Sequence, residues 1–210
     1  MARILIVDDH AVVRDGVRRI LEELRPETTV GEASNPQEAI ELVRSANWDA
    51  VVLDISLGGR SGLELIKELK QLRPKLPVLI LSMHSEEQYA RRAFRAGAAG
   101  YITKDNSRDE VVKAVNKVIA GGRYVSGGLA ERLAFDIERG SDRPPHESLS
   151  DREFEVMQLI ASGKTVGEIA EQLSLSDKTI STYRARILEK MGMKSNADII
   201  HYAIKNKLVE

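Results

Sequence analysis

The chain has 210 residues, is 42% hydrophobic, and carries 31 basic against 32 acidic residues for a formal net charge of -1. That length suits one large domain or two modest ones, and the near-neutral charge advertises neither a nucleic-acid nor a membrane partner. With no cysteine, disulfides, thiolate-bound zinc and thiol catalysis are excluded, and the early apolar run ILIV is too short for a leader or a membrane span, so a cytoplasmic protein is expected.

The first 120 or so residues alternate two textures. Short β-branched runs occur at Ile4–Val7, Thr29–Val30, Ala50–Leu53, Val78–Leu81 and Gly100–Ile102. Between them, apolar residues recur at helical spacing. The first stripe is Val12, Val13, Val17, Ile20, Leu21 and Leu24. The others centre on Ile40, Ile66, Ala93 and Val115. Five strand–helix alternations predict a parallel five-stranded sheet with helices on both faces, a flavodoxin-like doubly wound α/β fold. In such sheets function gathers at the carboxyl ends of the strands.

Those ends are polar. The first strand stops at Asp8-Asp9, the third at Asp54, the fourth at Ser82, and the fifth is followed by Lys104. Two adjacent acids after a buried strand repel each other unless something positive lies between them. Hard oxygen donors suit Mg²⁺ (or Mn²⁺), which keeps waters and shares phosphate oxygens. A carboxylate is a competent nucleophile toward phosphorus, and a lysine ammonium meets phosphoryl oxygens as a point charge. Any one of these residues alone would more often be a helix cap or a solvated charge. Their joint appearance, one polar group per strand end, favours phosphoryl chemistry.

After Gly121-Gly122 the pattern changes. Residues 123–147 read as a linker with a short helical patch at Leu129–Ile137 and a loose end at Pro144-Pro145. From 148 to 210 everything reads as helix. Ser150 and Glu153 have the spacing of a capping box, and the first helix ends near Gly163. Val166–Leu173, about Lys178–Met191 and Ala197–Lys205 follow, with the tight turn SLSD between the second and third.

On the third helix Ile180, Tyr183, Ile187 and Met191 share an inward face. The other face carries Lys178, Thr179, Ser181, Thr182, Ala185 and Arg186, small and polar enough to approach base edges. Arg186, Lys190 and Lys194, and the helix start at Thr165 and Val166, would meet phosphates. Charge is segregated accordingly: seven basic against two acidic residues from Lys178 to Val209, two against six from Ser148 to Asp177. Ile199, Ile200, Ala203 and Ile204 on the last helix divide between core and a dimer contact.

With these residues in view, positions 1–122 resemble the receiver domain of bacterial two-component response regulators, through Asp8-Asp9, Asp54, Ser82-Met83 and Tyr101 to Lys104 in GYITK. Residues 148–210 resemble the LuxR-type helix-turn-helix domain of the NarL/FixJ branch, through nearly the whole stretch from LSDREFEV to EKMGM. The resemblance implies that Asp54 accepts phosphate from a histidine kinase, with Ser82 and Lys104 assisting. It implies Mg²⁺ held by Asp9, Asp54 and the backbone carbonyl of Ser56, with Asp8 acting through water. Ser82 and Tyr101 would form the switch pair, the ring following the hydroxyl inward. The implied partners are promoter DNA, the kinase, RNA polymerase and, when phosphorylated, a second copy of the chain.

Three features depart from the usual receiver pattern. Gly58 stands where a proline is common, so a flexible loop is expected. Asp105 replaces the proline that often follows the lysine. Ser56 and His84 occupy the places two residues past the acceptor and the switch hydroxyl. A phosphatase built on Asp54, as in haloacid-dehalogenase-like enzymes, would need a second acid where Ser56 stands. A regulator that ignores phosphate would not need the acid cluster.

Overall fold

The computed structural model describes residues 2–57, 60–84, 86–131 and 144–209. The chain divides into two compact units, residues 1–136 and 137–210.

The first unit is built on a five-stranded parallel sheet of order β2-β1-β3-β6-β7, with β1 at Ala2–Val7, β2 at Thr28–Ala33, β3 at Ala50–Leu53, β6 at Val78–Ser82 and β7 at Gly100–Thr103. The three inner strands, β1, β3 and β6, are buried almost end to end, as their unbroken Val, Ile and Leu runs require. The edge strand β2 is half exposed. The other edge, β7, is covered by a parallel bridge from Gly100 to Tyr124. Five helices pack on the sheet: α1 Ala11–Leu24, α2 Pro36–Ser45, α3 Gly62–Leu72, α4 Glu86–Ala96 and α5 Arg108–Ile119. Asn35, Ser61 and Ser107 cap α2, α3 and α5 through their side chains.

The order places β1 between β2 and β3, so the chain winds to one side of β1 and then to the other. The crevice beyond Val7 and Leu53 is therefore the switch point, flanked by the ends of β6 and β7. One face of the sheet buries Ile4, Ile6, Val52, Leu79 and Leu81 against Val17, Leu21, Val111, Val115 and Val118. Val12 departs from its expected stripe: it is 86% exposed, because it shares the solvent face of α1 with Gly16, Arg19 and Glu23. A two-residue hairpin pair, β4 Ser56–Leu57 with β5 Arg60–Ser61, follows Asp54. The expected flexibility at Gly58 lies outside the described residues. The Lys104–Asp105 peptide is trans.

Residues 127–131 are helical, and the remainder of the patch expected at Leu129–Ile137 lies outside the described residues. In the second unit a 3₁₀ turn, Pro145–Ser148, stands where a loose end was expected. It precedes α6 Asp151–Ala161, α7 Val166–Gln172, α8 Asp177–Met191 and α9 Asn196–Lys205. The Ser150–Glu153 capping box forms as its spacing predicts, and two more occur at Thr165–Glu168 and Ser195–Asp198. Gly192 closes α8 in the left-handed conformation (φ 65°). The core is Leu149, Phe154, Met157, Ile160, Ile169, Leu173, Ile180, Ile187, Ile199, Ala203 and Leu208. Among the described residues no helix is long and apolar enough to cross a membrane.

Candidate phosphoryl site and nucleic-acid interface

Each strand end delivers its polar group to the crevice. Asp8 and Asp54 are buried at 2% and 4% exposure, an environment that carboxylates enter only with partners. Lys104 supplies one: its Nζ donates to Asp8 Oδ2 at 2.8 Å and to Asp54 Oδ2 at 2.7 Å. Burial lowers the affinity of Lys104 for its proton, yet the bonds and charges of Asp54 and Asp8 outweigh it and hold the ammonium above its ordinary value. Burial pushes the Asp54 carboxyl up, and Lys104 pulls it back toward ionisation.

The first pair of acids is offset differently. His10 Nδ1 lies 2.7 Å from Asp9 Oδ1 and 3.3 Å from Asp8 Oδ1, and its backbone N–H donates to Asp8 Oδ1 at 2.8 Å. Asp8, Asp9, Asp54 and His10 all offer donor atoms within 4.8 Å of one another. Three carboxyl groups face the single Lys104 ammonium, and most of the donors are hard oxygens. The residues present fit a divalent cation of the Mg²⁺ class. His10 went unassigned in the sequence, although it directly follows the acid pair.

The opposite rim is tied by hydrogen bonds. Ser56 N–H donates to Asp54 Oδ1 at 3.3 Å, and Ser56 Oγ bonds His84 Nε2 at 3.0 Å. His84 N–H donates to Ser82 Oγ at 3.2 Å. Its ring stacks on Tyr89 with centroids 4.5 Å apart. Burial, reinforced by Lys104 and opposed by Asp54, holds the His84 imidazole below its ordinary value, so it is neutral at pH 7. Tyr101 is fully buried and donates from its hydroxyl to the His84 carbonyl at 2.8 Å. Burial drives its phenol far above the usual range, so the hydroxyl stays a donor. The ring is thus already inward.

Gly62, the first residue of α3, donates to the Ile55 carbonyl at 2.8 Å. A Cβ there would lie 2.5 Å from the Asp54 carbonyl oxygen and 2.7 Å from Ile55 Cα. Only glycine admits this approach of backbone to backbone behind Asp54. The sequence hint was a glycine at the start of an apolar periodic run.

In the second unit the α8 face is open as expected: Lys178, Ser181, Thr182, Ala185 and Arg186 are exposed, and Thr179 is half-buried. The Thr182 hydroxyl donates to the Lys178 carbonyl at 2.9 Å and Thr179 Oγ1 bonds Ser176 at 2.9 Å, which fixes both hydroxyls on the helix. Arg184 is held to Asn196 at the start of α9, 2.5 Å away, and is structural.

Lys190 and the start of α7 meet competing contacts, and the α9 set divides between core and surface as expected. Lys190 does not stand free for phosphate: its Nζ lies 2.6 Å from Oε2 of the buried Glu153, whose burial leaves that charge in need of a partner. At the start of α7, the Glu168 carboxylate accepts from the Thr165 N–H and hydroxyl, both at 2.7 Å, and places a negative charge where an anion was expected. Val166 is half-buried behind it. Ile199 and Ala203 are fully buried in the core of their own unit, so only Ile204, 60% exposed, and the half-buried Ile200 present apolar surface on α9.

Comparison with known proteins agrees with this geometry. Residues 4–116 match the response regulator receiver domain, and residues 147–203 match the bacterial regulatory proteins of the luxR family. The response regulator UvrY of Escherichia coli K12 is 37% identical over 209 residues, spanning 99% of this chain and 96% of UvrY. The response regulator GacA of Pseudomonas aeruginosa is 35% identical, spanning 100% of this chain and 99% of GacA. Among solved structures, a LuxR-family two-component response regulator from Aurantimonas sp. SI85-9A1 aligns at TM-score 0.60 and 40% identity, over 64% of this chain and 96% of that one. RcsB from Salmonella enterica serovar Typhimurium, bound to promoter rprA with phosphomimetic BeF3-, aligns at TM-score 0.65 and 26% identity, over 96% of this chain and 98% of RcsB.

Proposed function

The chain belongs to the two-component response regulators that carry a LuxR-family DNA-binding domain, and from that premise we propose that Asp54 is the phosphoacceptor that controls its DNA binding. The observation that carries this reading is the Asp8–Lys104–Asp54 bridge at the switch point of the sheet.

The phosphodonor is a histidine kinase. An Asp54 carboxylate oxygen attacks the phosphorus of the kinase's phosphohistidine. The P–O bond forms, the P–N bond breaks, and the electron pair returns to the kinase imidazole. Lys104 stays beside the transferred group and meets one of its oxygens. Asp9, Asp54 and the Ser56 carbonyl would hold Mg²⁺, with Asp8 assisting through water. The cation supplies charge neutralisation on the phosphoryl oxygens. The receiver catalyses its own phosphorylation and the later hydrolysis, and turns over no separate substrate.

Ser82 and Tyr101 transmit the change. The inward ring of Tyr101, held by the His84 carbonyl next to Ser82, supports a switch in which the two loops move together. Residues 1–122 form the receiver, 123–147 the linker and 148–210 the DNA-binding domain. Phosphorylation favours a homodimer that places two α8 helices on promoter DNA, in the cytoplasm, where RNA polymerase is the further partner. Lys178, Ser181, Thr182, Ala185 and Arg186 face the DNA, with Thr179 beside them.

Intact mass after incubation with acetyl phosphate and Mg²⁺ tests the acceptor. The expected result is one phosphoryl group on the wild type and none on Asp54→Ala or without Mg²⁺. A gain that survives Asp54→Ala overturns the assignment. A second measurement, promoter affinity with and without the phosphodonor, tests control; equal affinities would sink it.

A further inference from the structure

His10 is out of place as a helix cap. It occupies the N-cap position of α1, yet its side chain makes no capping bond, and the first turn of α1 contains no acidic residue. Instead the imidazole turns back over the acid pair, with Nδ1 at 2.7 Å from Asp9 Oδ1 and 3.3 Å from Asp8 Oδ1. Cis donors of an octahedral cation, each about 2.1 Å from the ion, lie about 3.0 Å apart. The 2.7 Å separation of Nδ1 from the Asp9 oxygen is within about 0.3 Å of that value, while Asp8 stays one water away from the ion. A cation held by Asp9 can therefore also take the His10 ring as a donor with little movement of either side chain.

The far side of the cluster is already taken. Lys104 bonds Oδ2 of both Asp8 and Asp54, which leaves their Oδ1 atoms toward the His10 and Ser56 side. Donors from Asp8, Asp9, Asp54 and His10 converge within 4.8 Å. Oxygen donors alone favour Mg²⁺. An imidazole nitrogen adds little for that ion but binds first-row transition ions well.

We propose that His10 is a nitrogen ligand of this cation site and biases it toward Mn²⁺-class ions over Mg²⁺. The inference rests on the reading of the acid cluster as a divalent-cation site. His10 thereby sets which ion accompanies phosphoryl transfer to Asp54.

The test uses full-length protein with Mn²⁺ alone and pulsed electron paramagnetic resonance, which detects a nitrogen bonded to the ion. The wild type is expected to show imidazole nitrogen coupling, converted to the ¹⁵N pattern when only histidine is ¹⁵N-labelled. That labelling needs no variant. His10→Gln is expected to lose the coupling, and His84→Gln to keep it. Calorimetry is expected to show the preference for Mn²⁺ over Mg²⁺ falling about tenfold in His10→Gln, with Mg²⁺ affinity changed less than about twofold. The His10 side chain is 67% exposed, so the variant should fold, and its circular dichroism checks this. Mn²⁺ bound without histidine coupling, or coupling that survives in His10→Gln, overturns the proposal and leaves the cation site standing. Unchanged Mn²⁺ binding in Asp9→Asn places the ion elsewhere and overturns both, as does failure of the wild type to bind either ion.

Discussion

The hydroxyl of Ser56 and the Nε2 atom of His84 lie 3.0 Å apart, joining the loop that follows β3 to the loop that follows β6. Twenty-eight residues of sequence separate them. The bond couples Asp54, through the Ser56 amide, to Ser82 and Tyr101, which both bond the His84 backbone. A double-mutant cycle of Ser56→Ala and His84→Ala should therefore show a coupling of about 1 kcal/mol in unfolding free energy. Additive single effects would mean that the two loops are held independently.

Lys104 is the charge that lets Asp8 and Asp54 stay buried together. Lys104→Met leaves two carboxylates facing each other in a low-dielectric crevice. In the absence of divalent cation at pH 7 the receiver should lose about 3 kcal/mol of stability, by chemical denaturation. Combining it with Asp54→Asn, which removes one of the repelling charges, should restore part of that loss.

Gly62→Ala should be felt at Asp54 although residue 62 carries no chemistry. The new methyl meets the backbone at Asp54 and Ile55, which cannot swing aside as a side chain would. A stability loss of about 2 kcal/mol and slower phosphorylation by acetyl phosphate are expected together. Normal phosphorylation in a folded variant would show that the backbone behind Asp54 yields without cost.

The Glu153–Lys190 pair gives the DNA-binding domain a dependence on acid. Burial raises the Glu153 carboxyl. Lys190 and the Ser150 bonds together outweigh it and hold its folded pKa below the ordinary carboxylate value. The contribution is then complete above the unfolded value of about 4.5 and is lost as pH falls through the lower folded value. Lys190→Met should be less stable than wild type by about 1 kcal/mol at pH 7, with the gap closing below about pH 4. Its DNA affinity, measured where both proteins are folded, should be close to wild type.

Arg186 and Lys178 present the opposite case. Both are exposed on α8, so Arg186→Ala and Lys178→Ala should leave the melting temperature unchanged. Each that contacts a phosphate should reduce the slope of log affinity against log salt by about 1. A change in stability without a change in slope would put that side chain in the fold rather than on DNA.

Local pattern was enough to reveal much of this protein. Apolar runs of two to four residues between helical stripes gave the alternating strands and helices, because burial on two faces leaves no room for polar side chains. Ser150 and Glu153 announced their capping box, because its hydrogen bonds span only three residues. The acids at the strand ends marked the crevice for the same reason: a polar group directly after a buried strand must emerge at that edge. What distance in sequence hides, the tertiary structure decided. Lys104 is 96 residues from Asp8, and only the parallel order of β1, β3, β6 and β7 brings it between two carboxylates. Lys190 reads as a phosphate contact on a basic helix until packing sets the buried Glu153 beside it, 37 residues away in sequence. Ile199 and Ala203 cannot be told from Ile204 by composition, since helical periodicity gives the angle between faces but not which face meets the core. His10 lay in plain view beside Asp9, but the direction of an imidazole depends on rotamers that only the packed site selects.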